Sequence, residues 1–234
     1  MLSNNISFKN KTVLVTGGNR GLGKDISEYF KLRNAEVISL SSNDFDLSTE
    51  NGILDLCNWI NELPKLDILI NNAGIILDSQ IDTIDLDNFN NTFNVNVKAP
   101  SCIMIAAANI MKKSRSGKII NIASVAANQF RKNRAFYSTS KSALITLTKS
   151  FSIELAEYNI LVNSVSPGFC LTDSFKQNLK HEIIEKFISL TPLGKLATPN
   201  DISKIIGFLA SSDNSHITGI DIVVDGSFTN YYSI

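Results

Sequence analysis

Thr16-Gly17-Gly18-Asn19-Arg20-Gly21-Leu22-Gly23 follows without a break on the aliphatic run Thr12 to Thr16, and a helix-like stretch opens at its end. A strand, a glycine loop and a helix N-terminus in that order form an anion site, because free N–H groups and the positive end of the helix dipole face one point. Glycine is needed where side chains would block the backbone's approach to a pyrophosphate or the packing of helix on strand. The spacing, Gly-x-x-x-Gly-x-Gly, differs from the Gly-x-Gly-x-x-Gly fingerprint, and taken alone it also suits an ordinary tight turn. Its place after the first strand favours a phosphate loop, with Gly17, Asn19, Arg20, Gly21, Leu22 and Gly23 as candidate contacts.

Further short β-branched or aliphatic runs recur at Glu36 to Leu40, Asp67 to Asn71, Lys118 to Ile122, Ile160 to Val165 and Asp221 to Val224. They are apolar throughout rather than alternating, as in Val13-Leu14-Val15 and Ile68-Leu69-Ile70, the mark of a parallel sheet covered on both faces. Helical patterns lie between them at about 22–34, 50–63, 86–113, 136–158, 174–190 and 199–211, several with apolar residues at a 3.6-residue period. This alternation predicts an α/β fold with a doubly wound parallel sheet. No repeat, linker or low-complexity block divides it, so residues 1–234 read as one domain.

Lys+Arg 22 against Asp+Glu 22 leaves no electrostatic footprint for nucleic acid. Met1 to Asn10 has no apolar h-region, and nowhere do eighteen apolar residues run together without a charge, so the chain reads as soluble, untargeted and off the membrane. Cys57, Cys102 and Cys170 are odd in number and widely spaced, which offers neither a disulfide framework nor a Cys-x-x-Cys metal site and fits a reducing cytoplasm. His181 and His216 have no partners at metal-ligand spacing, and no metal is expected.

Asn71-Asn72-Ala73-Gly74 ends the third run, where Asn and Gly favour a turn at the carboxyl edge of the sheet, the edge at which parallel sheets place ligands. Tyr137 and Lys141 lie four apart in a helical stretch, so they share a face. Such pairs arise often by chance, and the context decides: Ser124, thirteen residues before Tyr137, stands at the end of the run Lys118 to Ile122. Asn96 sits inside a helical pattern, where Asn is a poor former that competes for backbone hydrogen bonds. Each residue alone also has a structural use, Ser124 as a strand-end hydroxyl, Tyr137 as a partly buried aromatic and Lys141 as a solvated helix charge.

Taken together these stretches resemble the short-chain dehydrogenase/reductase (SDR) family, whose first motif is Thr-Gly-x-x-x-Gly-x-Gly. The pattern is most similar to 3-oxoacyl-[acyl-carrier-protein] reductase members and runs from Thr16 through Pro192-Leu193-Gly194-Lys195 and Ile217-Thr218-Gly219 to Val224-Asp225-Gly226. Ser227 stands where the family commonly has a second glycine. The resemblance implies a Rossmann-type fold, cofactor contacts from Asn72, Ala73 and Gly74, and a catalytic set of Asn96, Ser124, Tyr137 and Lys141. It also implies that Pro167, Gly168 and Thr172 contact nicotinamide and pyrophosphate, and that Asp46 and Leu47 meet the adenine.

The chemistry suits these residue types. Hydride reduction of a carbonyl leaves an alkoxide that needs a proton, and a free phenol with pKa about 10 needs a nearby cation to work reversibly at neutral pH. Lys141, with the charge of oxidised nicotinamide, would favour tyrosinate at Tyr137, Ser124 would hold the substrate oxygen, and Asn96 would hold a water linking Lys141 to solvent. At the end of the second strand an NAD enzyme usually carries an acid for the ribose hydroxyl, and Ser41 occupies that position. Ser41 and Ser42 can donate to a 2′-phosphate and Arg20 adds a cation, which favours NADP; Asp44, able to fold back, is the competing observation for NAD. Tyr137 and Lys141 would also touch the nucleotide.

Only Ser41 to Phe45 separate the second strand from Asp46-Leu47, too few for a parallel crossover. The family's usual helix between its strands two and three is therefore expected to be missing, with Asp46-Leu47 in a loop or stub strand and strand two at or near the sheet edge. Residues 169–195, with apolar Phe175, Ile183, Ile184 and Phe187, form a candidate substrate lid or a permanently docked helix. Arg131, Lys132 and Arg134 suit an acidic substrate or a solvated face, and Lys112, Lys113 and Arg115 an acidic carrier protein or a helix C-terminus. Ile103, Ile105, Leu144, Leu147 and Phe151 exceed what one sheet face needs, and the resemblance implies a homotetramer or homodimer through them, although burial within the monomer explains the same residues. The expected function is interconversion of a carbonyl, free or carrier-bound, and a secondary alcohol; its rivals are a silent nucleotide-binding scaffold and a sugar-nucleotide epimerase-like enzyme.

Overall fold

The computed structural model describes residues 6–83, 85–173, 175 and 180–231. Six strands, β1 (Thr12–Thr16), β2 (Glu36–Leu40), β3 (Ile68–Asn71), β4 (Gly117–Ile122), β5 (Ile160–Pro167) and β6 (Asp221–Val224), form one sheet in the order β2-β1-β3-β4-β5-β6. Every pairing is parallel.

Alternate residues of each central strand point into opposite cores, which is why the runs are apolar at every position. Leu14, Leu69, Ile119 and Val162 join one cluster with α2 (Glu50–Asn61) and α4 (Ala99–Ser114) through Leu56, Ile60, Ile103 and Met104. Val13, Val15, Ile70 and Val165 join the other with α1 (Gly21–Lys31) and α7 (Pro199–Ala210) through Ile26, Phe30, Ile202 and Ile206. The edge strands β2 and β6 are only half-buried, as their one covered side requires.

No helix lies between Leu40 and Asp46, and Asp46-Leu47 form a turn rather than a strand, so β2 is the edge and the next strand, β3, is reached through α2. Thr49 caps α2 by accepting from Gly52 N–H at 3.0 Å. One expected helix is corrected: 86–113 is not continuous but divides into α3 (Leu86–Phe93), a π-turn (Asn94–Lys98) and α4. Of the expected 174–190 helix, α6 spans His181–Ser189, while 174 and 176–179 lie outside the described residues. The remaining helix, α5 (Ala135–Ala156), carries Tyr137 in its first turn.

Two of the proposed interface residues are core instead: Ile103 is 1% and Leu144 2% exposed, whereas Ile105 is 54% exposed. Arg115 ends α4 in left-handed geometry, donates to the Glu157 carbonyl and stacks over Tyr158, so the helix-terminus role accounts for it. Ser227, the family departure, adopts φ 72°, a conformation that suits glycine. No helix among the described residues is long and apolar enough to cross a membrane, and no group of His, Cys, Asp or Glu there could hold a metal.

Candidate active site

The register of the sheet brings the singled-out residues to one edge. Thr16 stands opposite Leu40, Asn71 opposite Asn121, and Ile122 opposite Val165, so the glycine loop, the Asn72 turn, Ser124 and Pro167 all leave the carboxyl ends of adjacent strands.

The glycine loop is stapled from below. Asn72 Nδ2 donates to the carbonyls of Thr16 and Gly17 at 3.0 and 3.1 Å, and Thr16 Oγ1 accepts from the backbone N–H of Asn72 and Ala73 at 3.1 and 3.0 Å. A Cβ on Gly23 would stand 2.1 Å from the Gly17 carbonyl oxygen, whereas one on Gly21 would meet nothing within 4 Å. The loop is thus packed against the sheet and open outward. α2, α3 and α7 begin with side-chain caps from Thr49, Asp85 and Thr198. α1 begins at Arg20 with no side-chain cap and no acid in its first turn, leaving its first N–H groups to an anion. This cradle fits a dinucleotide pyrophosphate.

At the end of β2, Ser41 donates its N–H and its hydroxyl to Asp44 Oδ2, each at 2.8 Å. Those bonds hold the Asp44 carboxyl below its usual range. Ser42 is exposed beside them. Asp46 Oδ1 accepts from Ser48 N–H and hydroxyl at 3.0 and 2.7 Å, and Leu47 packs on the core rather than standing free.

The π-turn sets Asn96 inward, fully buried. Its Oδ1 accepts from Ile75 N–H at 2.9 Å, and its Nδ2 donates to the Ile75 carbonyl and to Ser140 Oγ, each at 3.0 Å. Both amide protons are committed, so the side chain clamps the Gly74-Ile75 strap. Ser140, buried and donating to the Tyr137 carbonyl at 2.7 Å, completes the link to α5. Neither Ile75 nor Ser140 was expected; Ser140, a serine one turn beyond Tyr137, left a signal, whereas Ile75 acts through backbone and left none.

Ser124 caps a 3₁₀ turn (Val125–Ala127), accepting from Ala126 N–H at 3.1 Å, and its hydroxyl hydrogen-bonds the Tyr137 phenol. Lys141 is 4% exposed, and its Nζ donates to the Ile122 carbonyl at 2.8 Å and lies 5.9 Å from the Tyr137 ring centre. Burial pushes its ammonium down to about 8. Burial also raises Tyr137, against smaller opposing effects of the Ser124 hydrogen bond and Arg134. A proton held on Tyr137 suits an acid.

Gly168 turns closely against the end of β6, where a Cβ would stand 2.7 Å from the Asp225 Cβ. Thr172 Oγ1 accepts from Phe175 N–H at 3.2 Å. Phe169 stacks on Phe187 of α6 at 4.0 Å and meets Phe228 edge-on at 4.9 Å, and Arg131 lies 5.8 Å from the Phe187 ring centre. This aromatic cluster was not foreseen as a unit. Arg134 pairs with Asp78 at 3.1 Å. Lys112 and Lys113, at the C-terminal end of α4, precede the start of β4 and so lie at the opposite end of the sheet from Ser124.

A family profile described as enoyl-(acyl carrier protein) reductase matches residues 13–229. A 3-oxoacyl-[acyl-carrier-protein] reductase of Rickettsia felis is 34% identical over 239 residues, covering 94% of this chain and 98% of that one. The corresponding Buchnera aphidicola protein is 36% identical over 236 residues, covering 92% and 96%. Among solved structures, an NAD(P)-dependent gluconate 5-dehydrogenase assignment from Beutenbergia cavernae, with bound NADP, matches with TM-score 0.90 at 26% identity, covering 97% and 100% of the two chains. A 7α-hydroxysteroid dehydrogenase complexed with NADH and a 7-oxo bile acid matches with TM-score 0.86 at 29% identity, covering 97% of each.

Proposed function

The chain belongs to the short-chain dehydrogenase/reductase family and is an oxidoreductase of carbonyls and alcohols, and from that premise we propose an NADP-dependent reductase in which Tyr137 is the acid/base. The observation that carries the proposal is the convergence of Ser124, Tyr137 and the buried ammonium of Lys141 at the edge where the uncapped glycine loop opens. When bound, the nicotinamide supplies or accepts the hydride. Ser124 Oγ orients the substrate oxygen, Tyr137 Oη holds the proton delivered to that oxygen, and Lys141 Nζ stabilises the phenolate left behind. Asn96 fixes the Gly74-Ile75 strap beside Lys141 and, through Ser140, the first turn of α5. A water between Lys141 and solvent would sit against the π-turn backbone, since the Asn96 amide protons are spent.

Gly17, Asn19, Arg20, Gly21, Leu22 and Gly23 would hold the pyrophosphate, Asp46 and Leu47 the adenine, and Asn72, Ala73, Gly74, Pro167, Gly168 and Thr172 the nicotinamide side. Ser41, Ser42 and the exposed Arg20 support NADP, as do relatives solved with NADP. The curated relatives' names support a 3-oxoacyl thioester on a carrier as substrate. We place the protein in the cytoplasm, as one domain with 169–195 as its lid, assembled as a dimer or tetramer through α4 and α5.

Fluorescence titration with NADPH and NADH, then NADPH oxidation with 3-oxoacyl thioesters, ketones and sugars, tests the proposal. Turnover that falls by about 10²-fold or more in Tyr137→Phe, with nucleotide affinity kept, is expected. Nucleotide binding without turnover on any of these substrates would move the protein to a silent scaffold.

A further inference from the structure

The topology that gathers the catalytic residues at the carboxyl edge of the sheet gathers a different set at the opposite edge. Lys11 precedes β1, Lys65 and Asp67 precede β3, and α4 ends at Lys113 and Ser114 just ahead of β4, the three strands being neighbours. Between them lies a cavity of about 380 Å³, walled by the ammonium-bearing Lys11, Lys65 and Lys113 and by apolar Pro64, Leu66 and Ile110. Asp67 organises it: Oδ1 accepts from Lys11 Nζ at 3.2 Å, and Oδ2 from Lys65 Nζ at 3.0 Å and from Thr12 N–H at 2.8 Å. Lys65 Nζ also donates to the Asn10 carbonyl at 2.5 Å. Among the described residues the Lys113 side chain makes no ion pair or hydrogen bond. Three ammonium groups thus share one carboxylate, and the surplus is felt next door, where burial and the nearby Lys11 hold the Lys118 ammonium below its usual range. The last carbonyls of α4, which would repel an anion, are already bonded: Met111 accepts from Ser116 N–H at 3.3 Å and Ser114 Oγ at 3.1 Å, and Lys112 from Arg115 N–H at 3.2 Å.

We propose that this cavity is a ligand site for a small organic phosphate, the phosphate lying among the ammonium groups of Lys11, Lys65 and Lys113 and the organic body against Pro64, Leu66 and Ile110. An ammonium carries three donors; Lys11 uses one, Lys65 two and Lys113 none, which leaves six for the ligand. The excess of two positive charges matches a phosphate monoester, which is mostly a dianion at pH 7. Leu66 is 2% and Ile110 6% exposed, so the apolar wall belongs to the fixed core. A hollow of this volume falls in the range of small-molecule sites. β1 spans Thr12–Thr16, so the glycine loop begins roughly 16 Å away, beyond a Debye length, and the cavity is separate from the active site.

The experiment is titration calorimetry with phenyl phosphate, inorganic phosphate and benzyl alcohol, on the unaltered chain, Lys113→Gln, Lys113→Glu, Lys112→Glu and Arg20→Asp. Lys113 is exposed, and its variants are expected to keep the melting behaviour of the unaltered chain. Lys112→Glu makes the same charge reversal one residue away, at an ammonium that lies 4.6 Å from the Tyr158 ring centre and outside the cavity wall. Arg20→Asp alters the glycine loop instead. Phenyl phosphate should bind the unaltered chain and Arg20→Asp alike, inorganic phosphate more weakly and benzyl alcohol not at all. Lys113→Gln should weaken phenyl phosphate about fivefold, Lys113→Glu about tenfold or more and Lys112→Glu about twofold or less, with all affinities falling as salt rises. Absence of phenyl phosphate binding, loss of it in Arg20→Asp alone, or equal losses in Lys112→Glu and Lys113→Glu would overturn the site. Equal affinity for inorganic and phenyl phosphate would overturn the part given to the apolar wall.

Discussion

Lys141 shows what burying a charged side chain costs. The unfolded chain holds this proton to about 10.4, whereas the folded chain holds it only to about 8. Between those values the unfolded state binds more protons, so stability rises with pH across that window and the penalty is carried in full below it. A shift of this size corresponds to roughly 3 kcal/mol, offset by about 1 kcal/mol for the bond to the Ile122 carbonyl. Lys141→Met is accordingly expected to melt higher than the unaltered chain at pH 7, to lose that advantage between pH 8 and 10.5, and to lose turnover at every pH. A variant less stable at pH 7 would refute this account. The positions of Ser124, Tyr137 and Lys141 were legible because helix spacing and the end of a strand run put them on a shared face and at a sheet edge, and the family resemblance tied them into one set. Ile75, which holds Asn96 through its backbone, was not, because a backbone contact leaves no pattern in the residue types.

At the scale of the element, α1 is, like α5 and α6, a helix without a side-chain cap, and it is the one that opens from the glycine loop. Its neighbours α2, α3 and α7 satisfy their first N–H groups with Thr49, Asp85 and Thr198, while Arg20 at the start of α1 satisfies none. Replacing Arg20 by Asp would cap the helix and set a carboxylate where phosphate is expected. The physical outcome is a trade: about 0.5–2 kcal/mol of added stability by thermal melting, against nucleotide binding weakened by about tenfold or more in a fluorescence titration. Tighter nucleotide binding by Arg20→Asp would contradict the assignment of this loop to the pyrophosphate. The strands were readable for a related reason. A parallel sheet buried on both faces writes itself as unbroken aliphatic runs, and β1, β2 and β6 begin and end where those runs do. The π-turn at Asn94–Lys98 was not readable, since a shift of one hydrogen-bond register leaves the apolar spacing of 86–113 intact. Asn96, a weak helix former, and Pro100, in the first turn of α4, were its traces.

For the whole molecule, what the sequence could not separate is burial against a sheet from burial against a second copy. Both put aliphatic side chains on the same helices, and periodicity reports only that a face is covered. The structure divides them: Ile103 and Leu144 fill the core, Leu147 and Phe151 lie half-buried on one α5 stripe, and Ile105 of α4 and Ile153 of α5 are 54% and 78% exposed. One exposed isoleucine needs no explanation, but Ile105 and Ile153, one on each helix, are large apolar side chains that a second copy on these helices would cover. If α4 and α5 form that face, the double variant Ile105→Glu with Ile153→Glu places carboxylates against an apolar partner surface and should sediment as a single chain where the unaltered protein sediments as a dimer or tetramer. Neither side chain belongs to the core of the chain itself, so the variant should keep its fold and its nucleotide affinity. Equal sedimentation of the two proteins as assemblies would place the interface elsewhere, and single chains in both would leave these isoleucines as surface residues only.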